Sequence, residues 1–309
     1  MRALATTVLA SAILAPTASA QLSPDWMVPA VAHTEGARGS FWRTDLSLHN
    51  PHDFELPVVI QFLATGLSNF EVPTMWITLY PYETLNLWDV LGPDTFDSYG
   101  TGAMLVYADT ELACEPVTDC DFLVSSRTYT LDPRGGGGEF GQTVGGVDVG
   151  AGIDWDRYGY AAGILNDGVD FRCNYGAASW TAEWTTVWVD VQDADGTLLA
   201  THELELPPFG HIQRRLETPV TGGSLVFYLV EGPEDSRVYP YASMADQVNS
   251  DATYFPGTAS VVGATADKRA DAPERPRDRP EPVRLSSDVD DRALRARVRD
   301  MPSATDSEH

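Results

Sequence analysis

The sequence predicts an all-β protein: two tandem antiparallel β-sandwich domains of immunoglobulin-like type, followed by a disordered C-terminal tail. Three observations carry this. Short runs such as LPVVIQFLA, TMWITLY, GAMLVYA, DFLVSSRTY, TTVWVDV, GSLVFYLV and SRVYPYAS are rich in Val, Tyr, Trp, Phe and Thr, and Gly, Pro, Asn and Asp separate them. That composition suits pleated, half-buried strands bounded by turns. No body segment carries a 3.6-residue apolar stripe of helical length, so sheets must pack on sheets. Finally, the chain looks written twice. FWRTDLSLHN aligns with DFRCNYGAAS, LPVVIQFLA with TTVWVDVQD, LYPYETLNL with LPPFGHIQR, TGAMLVYAD with GGSLVFYLV, and VSSRTYT with VYPYASM, all in the same order. An ordered recurrence of this kind is the signature of a repeat. It places one sandwich at residues 27–147 and a second at 148–262. The competing reading is a single larger sandwich whose strands merely look alike.

The elements follow in chain order. Residues 1–20 have the three parts of a secretory signal: Arg2, the apolar run ALATTVLASAILA, and Ala18-Ser19-Ala20 as an A-x-A cleavage site. Cleavage near Ala20 would make the mature chain secreted, periplasmic or attached to the cell surface. No later run reaches the roughly 18–20 apolar residues of a membrane-spanning helix, so no membrane span is expected. Cys114 and Cys120 bracket EPVTD between two strand-like runs, a spacing that suits a small disulfide in an oxidising compartment. The glycine-rich stretch RGGGGEFGQ at 134–142 lacks the Gly-Lys-Ser/Thr of a phosphate loop and is expected to be a flexible connection. From residue 264 to 309 the chain is Pro-rich, mixed in charge and nearly free of aromatics. It has too little apolar area to offset chain entropy, so it is expected to be disordered.

Charge excludes one class of partner. The 309 residues carry a net charge of −25, and the tail from Ala264 is nearly balanced, with 10 basic and 11 acidic residues. The body therefore holds nine basic residues, all arginines, against 34 acidic ones. Such a surface repels phosphate backbones, so nucleic acid is not an expected partner.

Strand alternation divides FWRTDLSLHN into two faces. Trp42, Thr44, Leu46 and Leu48 form a core column, and Arg43, Asp45 and Ser47 face the other way. In the second copy Phe171, Cys173, Tyr175 and Ala177 take the core side, opposite Arg172 and Asn174. Cys173 is then an inward thiol acting as a small hydrophobe. Two readings of Arg43, Asp45, Arg172 and Asn174 are open. They could form a fork for a carboxylate ligand, or polar pairs that hold a neighbouring strand or loop. Their occurrence in both copies favours the structural reading. Arg127, in SSRTY, is a third candidate for the same network, although its aligned counterpart is Tyr241.

The combination FWRTDLSLHNP, SSRTY, GEFGQ, a second arginine strand and YASMADQVNSDATYFP resembles a family of uncharacterised secreted bacterial tandem β-sandwich proteins. Members carry paired F-W-R-[ST]-D and F-R-T-N strands. The resemblance covers about residues 28–256 and implies fold and export; it carries no activity with it. The chain departs from the pattern at Cys173, where Thr is usual, and at Gly176–Ser179.

No catalytic residue stands out: G-x-S-x-G, H-E-x-x-H and a Ser/His/Asp arrangement are all missing from the sequence. His49 and His52 flank an Asn-Pro turn and make a poor ligand set for a metal. No cofactor is expected apart from calcium. Asp246, Asn249 and Asp251 form an oxygen cluster that could hold it, as do Asp190, Asp193 and Asp195, but neither completes an EF-hand loop. Three functions remain: an exported, non-catalytic protein with a surface-structural, adhesive or protein-binding role; a carbohydrate-binding module using Trp76, Trp88, Trp180 and Trp184; or a hydrolase with a loop-built site. The expected partner is a protein or a glycan surface.

Overall fold

A computed structural model of the chain describes residues 22–109, 120–132, 135–248 and 251–261. The first half contains β1 (Asp25–Glu35), β2 (Phe41–His49), β3 (Leu56–Ala64), β4 (Thr74–Leu79), β5 (Thr84–Leu87), β6 (Gly100–Ala108), β7 (Leu123–Leu131), β8 (Glu139–Gly145) and β9 (Val147–Asp148). The second contains β10 (Arg157–Asn166), β11 (Phe171–Ser179), β12 (Thr185–Gln192), β13 (Leu198–Leu206), β14 (His211–Arg215), β15 (Val220–Glu231), β16 (Val238–Asp246), β17 (Ala252–Pro256) and β18 (Thr258–Val261). Two single-turn 3-10 helices, at Ala37–Gly39 and Val149–Ala151, are the helical pieces among the described residues.

The protein is all-β, and the strand pairs of its sheets are antiparallel. In the first half, β4-β3-β6-β1 form one sheet with β9 on β1, and β5-β2-β7-β8 form the other. β1 serves both sheets. After a register shift between Val28 and Val31, its last residues Thr34 and Glu35 pair with Trp42 and Phe41 of β2. In the second half the sheets are β13-β12-β15-β10-β18 and β14-β11-β16-β17. The pairing scheme is shared strand for strand: β5 and β7 flank β2 as β14 and β16 flank β11, and β3 and β1 flank β6 as β12 and β10 flank β15.

Each half has its own core, as a sandwich requires. The first gathers Val28, Leu46, Leu48, Val58, Ile60, Met104, Val106 and Phe122. The second gathers Cys173, Tyr175, Val187, Val189, Leu225 and Phe227. A third cluster lies between the sandwiches. The outer face of β1, β3 and β6 supplies Met27, Leu63, Ala103 and Leu105, and these pack on Ala178 and Tyr239 of β11 and β16. This explains why LPVVIQFLA and GAMLVYA are apolar on both faces: one face fills the sandwich and the other fills the seam.

Polar groups fix the seam as well. Thr65 Oγ1 and His211 Nδ1 are 2.7 Å apart, His211 Nε2 and the Tyr241 hydroxyl 2.8 Å, and the Tyr241 hydroxyl donates to Gln213 Oε1 at 2.9 Å. Gly66 N–H donates to His211 O, and Asn69 reaches the carbonyls of Pro208 and Phe209. On the neighbouring edge Ser243 of β16 donates to Gln142 of β8 at 3.0 Å.

Two expectations need correction. The stretch at 134–142 is not simply a flexible connection: from Glu139 it becomes β8, which pairs with β7 from Leu131↔Glu139 to Ser125↔Gly145. The glycines suit this strand, since a Cβ on Gly141 would meet Tyr129 at 2.6 Å. The counterpart of Arg127 also changes. Asp45 faces Arg127 and Asn174 faces Ser243, so Ser243 and not Tyr241 occupies the Arg127 position. Cys120 is buried beside the first core, but Cys114 lies outside the described residues, and so does the bridge expected between them. The signal segment and the tail lie outside them too. Among the described residues no helix is long and apolar enough to cross a membrane.

Candidate functional site

Arg43 and Asp45 converge on one residue that the sequence did not single out, Asp89. The Arg43 Nε lies 3.4 Å from Asp89 Oδ2, and its guanidinium stacks 4.7 Å over the Phe41 ring. Asp45 Oδ1 accepts the Asp89 backbone N–H at 2.8 Å, and His33 Nδ1 meets Asp89 Oδ1 at 2.8 Å. Asp89 holds a left-handed backbone, φ 47°, which Asp tolerates better than most residues. The arginine and aspartate of β2 therefore clamp the loop after β5. Arg43→Met is expected to cost about 1 kcal/mol, the scale of a partly exposed ion pair, with urea denaturation as the check.

Arg127 stands across from Asp45 but turns away from this clamp. It pairs with Glu139 at 2.6 Å and stacks 4.8 Å over Tyr129. Burial pushes the Tyr129 phenol up, and the carboxylates of Asp45 and Glu139 push it further.

The second copy lacks the clamp. Val90 N–H donates to Thr44 O in the first sandwich, and Leu216 N–H donates to Cys173 O in the second. Leu87 and Arg214 hold equal register positions, opposite Leu46 and Tyr175. The chain thus reaches the same bond one residue sooner after β14, and Asp89 has no equivalent. Arg172 and Asn174 do not form the expected polar pairs: among the described residues, neither side chain has a hydrogen-bond or ion-pair partner.

Cys173 is fully buried in the second core, and burial pushes its thiol up to about 12. A thiol held protonated and inaccessible is unreactive. Ellman's reagent is expected to leave the native protein unlabelled at Cys173 and to modify it once denaturant opens the sandwich.

The histidines do not converge. His49 meets Thr84, His52 meets the Asp121 carbonyl and stacks on Phe54, and His202 meets Thr218. His211 is fully buried at the seam, and loss of solvent pulls its pKa down to about 3.

The calcium candidates are turn formers. Asp246 Oδ1 accepts Val248 N–H and Asp251 Oδ1 accepts Ala252 N–H, while Asn249 lies outside the described residues. Asp193 Oδ1 caps its own hairpin through the N–H groups of Asp195 and Thr197. Asp190 accepts the Thr201 hydroxyl in the sheet interior. Among the described residues no three His, Cys, Asp or Glu side chains come together as a metal site. A pocket of about 430 Å³ lies between the Asp167 and Asp193–Asp195 turns. One oxygen of its Asp167 carboxylate, Oδ1, accepts the N–H groups of Val169, Asp170 and Phe171 and shapes the turn.

The aromatic candidates divide. Trp76, Trp88 and Trp184 are 63%, 69% and 62% exposed. Trp180, expected outside, instead packs into the seam against Phe209, with ring centroids 5.1 Å apart. Phe70, Tyr80 and Tyr82 are also exposed. Four of these, Trp76, Tyr80, Tyr82 and Trp88, lie on and around the edge strands β4 and β5 of the first sandwich, while Phe70 meets Phe209 of the second edge-on at 5.6 Å.

Fold and side chains together define a tandem β-sandwich with exposed aromatics on the edge strands of its first domain and, on its second, Arg172 and Arg215 without an ion-pair partner among the described residues. No protein-family model matches the chain, and no curated protein matches it in sequence.

Proposed function

We propose that this is an exported, non-catalytic protein that acts by binding, in a surface-structural or adhesive role, with a protein as partner. The resemblance to secreted tandem sandwiches and the A-x-A segment ending at Ala20 support export. The observation that carries the binding reading is a run of exposed aromatics, Trp76, Tyr80, Tyr82 and Trp88, on and beside the edge strands β4 and β5. Soluble proteins seldom leave so many large aromatics in water without use, and Trp and Tyr dominate binding hot spots.

A paired experiment tests it. Wild-type protein and the Trp76→Ala/Trp88→Ala variant are immobilised and exposed to native envelope extract. A partner retained by wild type and lost from the variant is expected, and retention equal in both would defeat the reading. A glycan partner is the second reading, favoured because Trp76 stands on β4 between Thr74 and Thr78, a stacking ring beside hydroxyls. A glycan array probed with the same two proteins decides between them.

A further inference from the structure

The nine arginines of the body are scarce charges among 34 carboxylates, and half of the eight in view are spent on them. Arg43 pairs with Asp89, Arg127 with Glu139, and both Arg157 and Arg237 with Asp154. Arg134 lies outside the described residues. Three of the remaining four, Arg38, Arg172 and Arg215, have no carboxylate partner among the described residues, and the charges of Arg38 and Arg215 both act on Arg172.

Strand register puts two of them together. Asn174 of β11 faces Arg215 of β14, so their side chains share a face, and Arg172 lies two residues along that same face. This face is turned toward the first sandwich: Ser243, opposite Asn174 on β16, donates to Gln142 of β8. Arg38 comes from the first sandwich, in the turn between β1 and β2. The Arg172 guanidinium is depressed first by burial, then by the like charges of Arg215 and Arg38, and no carboxylate offsets them. Of the acids two residues away, Asp170 does not figure among the charges acting on Arg172, and Glu217 acts instead on Tyr175 and His202 at the core side of the sheet. A half-buried Arg172 with the exposed Arg215 and Arg38 beside it is a run of like charges that repel one another unless a counter-charge joins them.

We propose that Arg38, Arg172 and Arg215 form a binding site for a small tetrahedral oxyanion, a phosphate or sulfate group, at the seam of the two sandwiches. Three guanidiniums arriving from three chain segments offer more donors than the single edge of a carboxylate can accept, whereas a tetrahedral dianion presents oxygens to all three. The surrounding acidic body repels long polyanions, so the ligand is a free ion or one terminal ester group. Occupancy would also tie the β1–β2 turn of one sandwich to β11 and β14 of the other.

Thermal unfolding at constant ionic strength tests this, with sodium chloride replaced in steps by inorganic sulfate, inorganic phosphate, a sulfated disaccharide or sodium citrate. Sulfate or phosphate is expected to raise the wild-type Tm by several degrees over chloride. Arg172→Gln/Arg215→Gln should lose that difference, and Arg38→Gln, an exposed turn change that leaves both sheets intact, should lose much of it. In low-salt chloride Arg172→Met should unfold at the wild-type temperature or above it. A drop of several degrees would mean that Arg172 has an unseen structural partner and would overturn the proposal. Equal stabilisation by sulfate and chloride would also overturn it, as would a sulfate effect that survives in all variants, or one produced by citrate alone. Stabilisation by the free ions or by the ester supports the site and identifies its source.

Discussion

Tyr239→Ala is expected to split the unfolding of this protein in two. Calorimetry should show one transition for the wild type and two for the variant, the lower one well below the wild-type temperature. Tyr239 is fully enclosed in the cluster between the sandwiches, against Met27, Leu63, Ala103, Leu105 and Ala178. Its hydroxyl donates to the Val149 carbonyl at 2.6 Å, in the segment that joins the two halves. Truncating a buried aromatic costs about 3–5 kcal/mol through lost burial and the cavity left behind. Here the loss falls on contacts between domains rather than within one, so it should weaken coupling more than either core. A variant that unfolds at the wild-type temperature would remove Tyr239 from that role.

The second large effect is a loss of stability on mild acidification. His211 is enclosed by Thr65 and Tyr241 in a site that excludes its charged form, and its folded pKa, about 3, lies below the ordinary 6.5. Stability from this residue is therefore complete above pH 6.5 and drains away as pH falls toward 3, because only the unfolded chain takes up the proton. The slope approaches about 1.4 kcal/mol per pH unit, or about 2 kcal/mol between pH 7 and pH 5. His202, also depressed by burial, adds in the same direction, while Asp25, raised by burial, opposes it. Urea titrations of wild type and His211→Gln at both pH values isolate the His211 share. The variant should lose markedly less stability than the wild type over that interval, and parallel losses would refute the assignment.

Strand-level features were legible because they are local. Alternation along FWRTDLSLH placed Trp42, Thr44, Leu46 and Leu48 inward, and the structure buries the last three while Trp42 stays half-exposed at the strand's start. The same rule put Phe171, Cys173, Tyr175 and Ala177 in the second core, where the last three lie and Phe171 does not. Partners across space were not legible. Asp89 is far along the chain from Arg43, and only the return of the loop after β5 brings it back. β8 was hidden by its glycines, which look like linker until β7 is seen to need close approach there. The seam has its own signal in the sequence: LPVVIQFLA and GAMLVYA are apolar on both faces, which a sandwich with one wet face does not require. Trp180 packs at the domain contact, and composition alone cannot tell such a tryptophan from one on the surface.

The sharing of β1 between both sheets of the first sandwich has a consequence for how the chain acquires its shape. Trp26, near its start, pairs with Val106 on one side and with Asp148 on the other, while Thr34 and Glu35 close on the β2 strand. The earliest strand therefore waits for segments synthesised much later, and each such closure costs loop entropy before any contact repays it. Folding should run on the slow, milliseconds-to-seconds scale of non-local β topologies. A chain cut short before β9 could not complete the first sandwich.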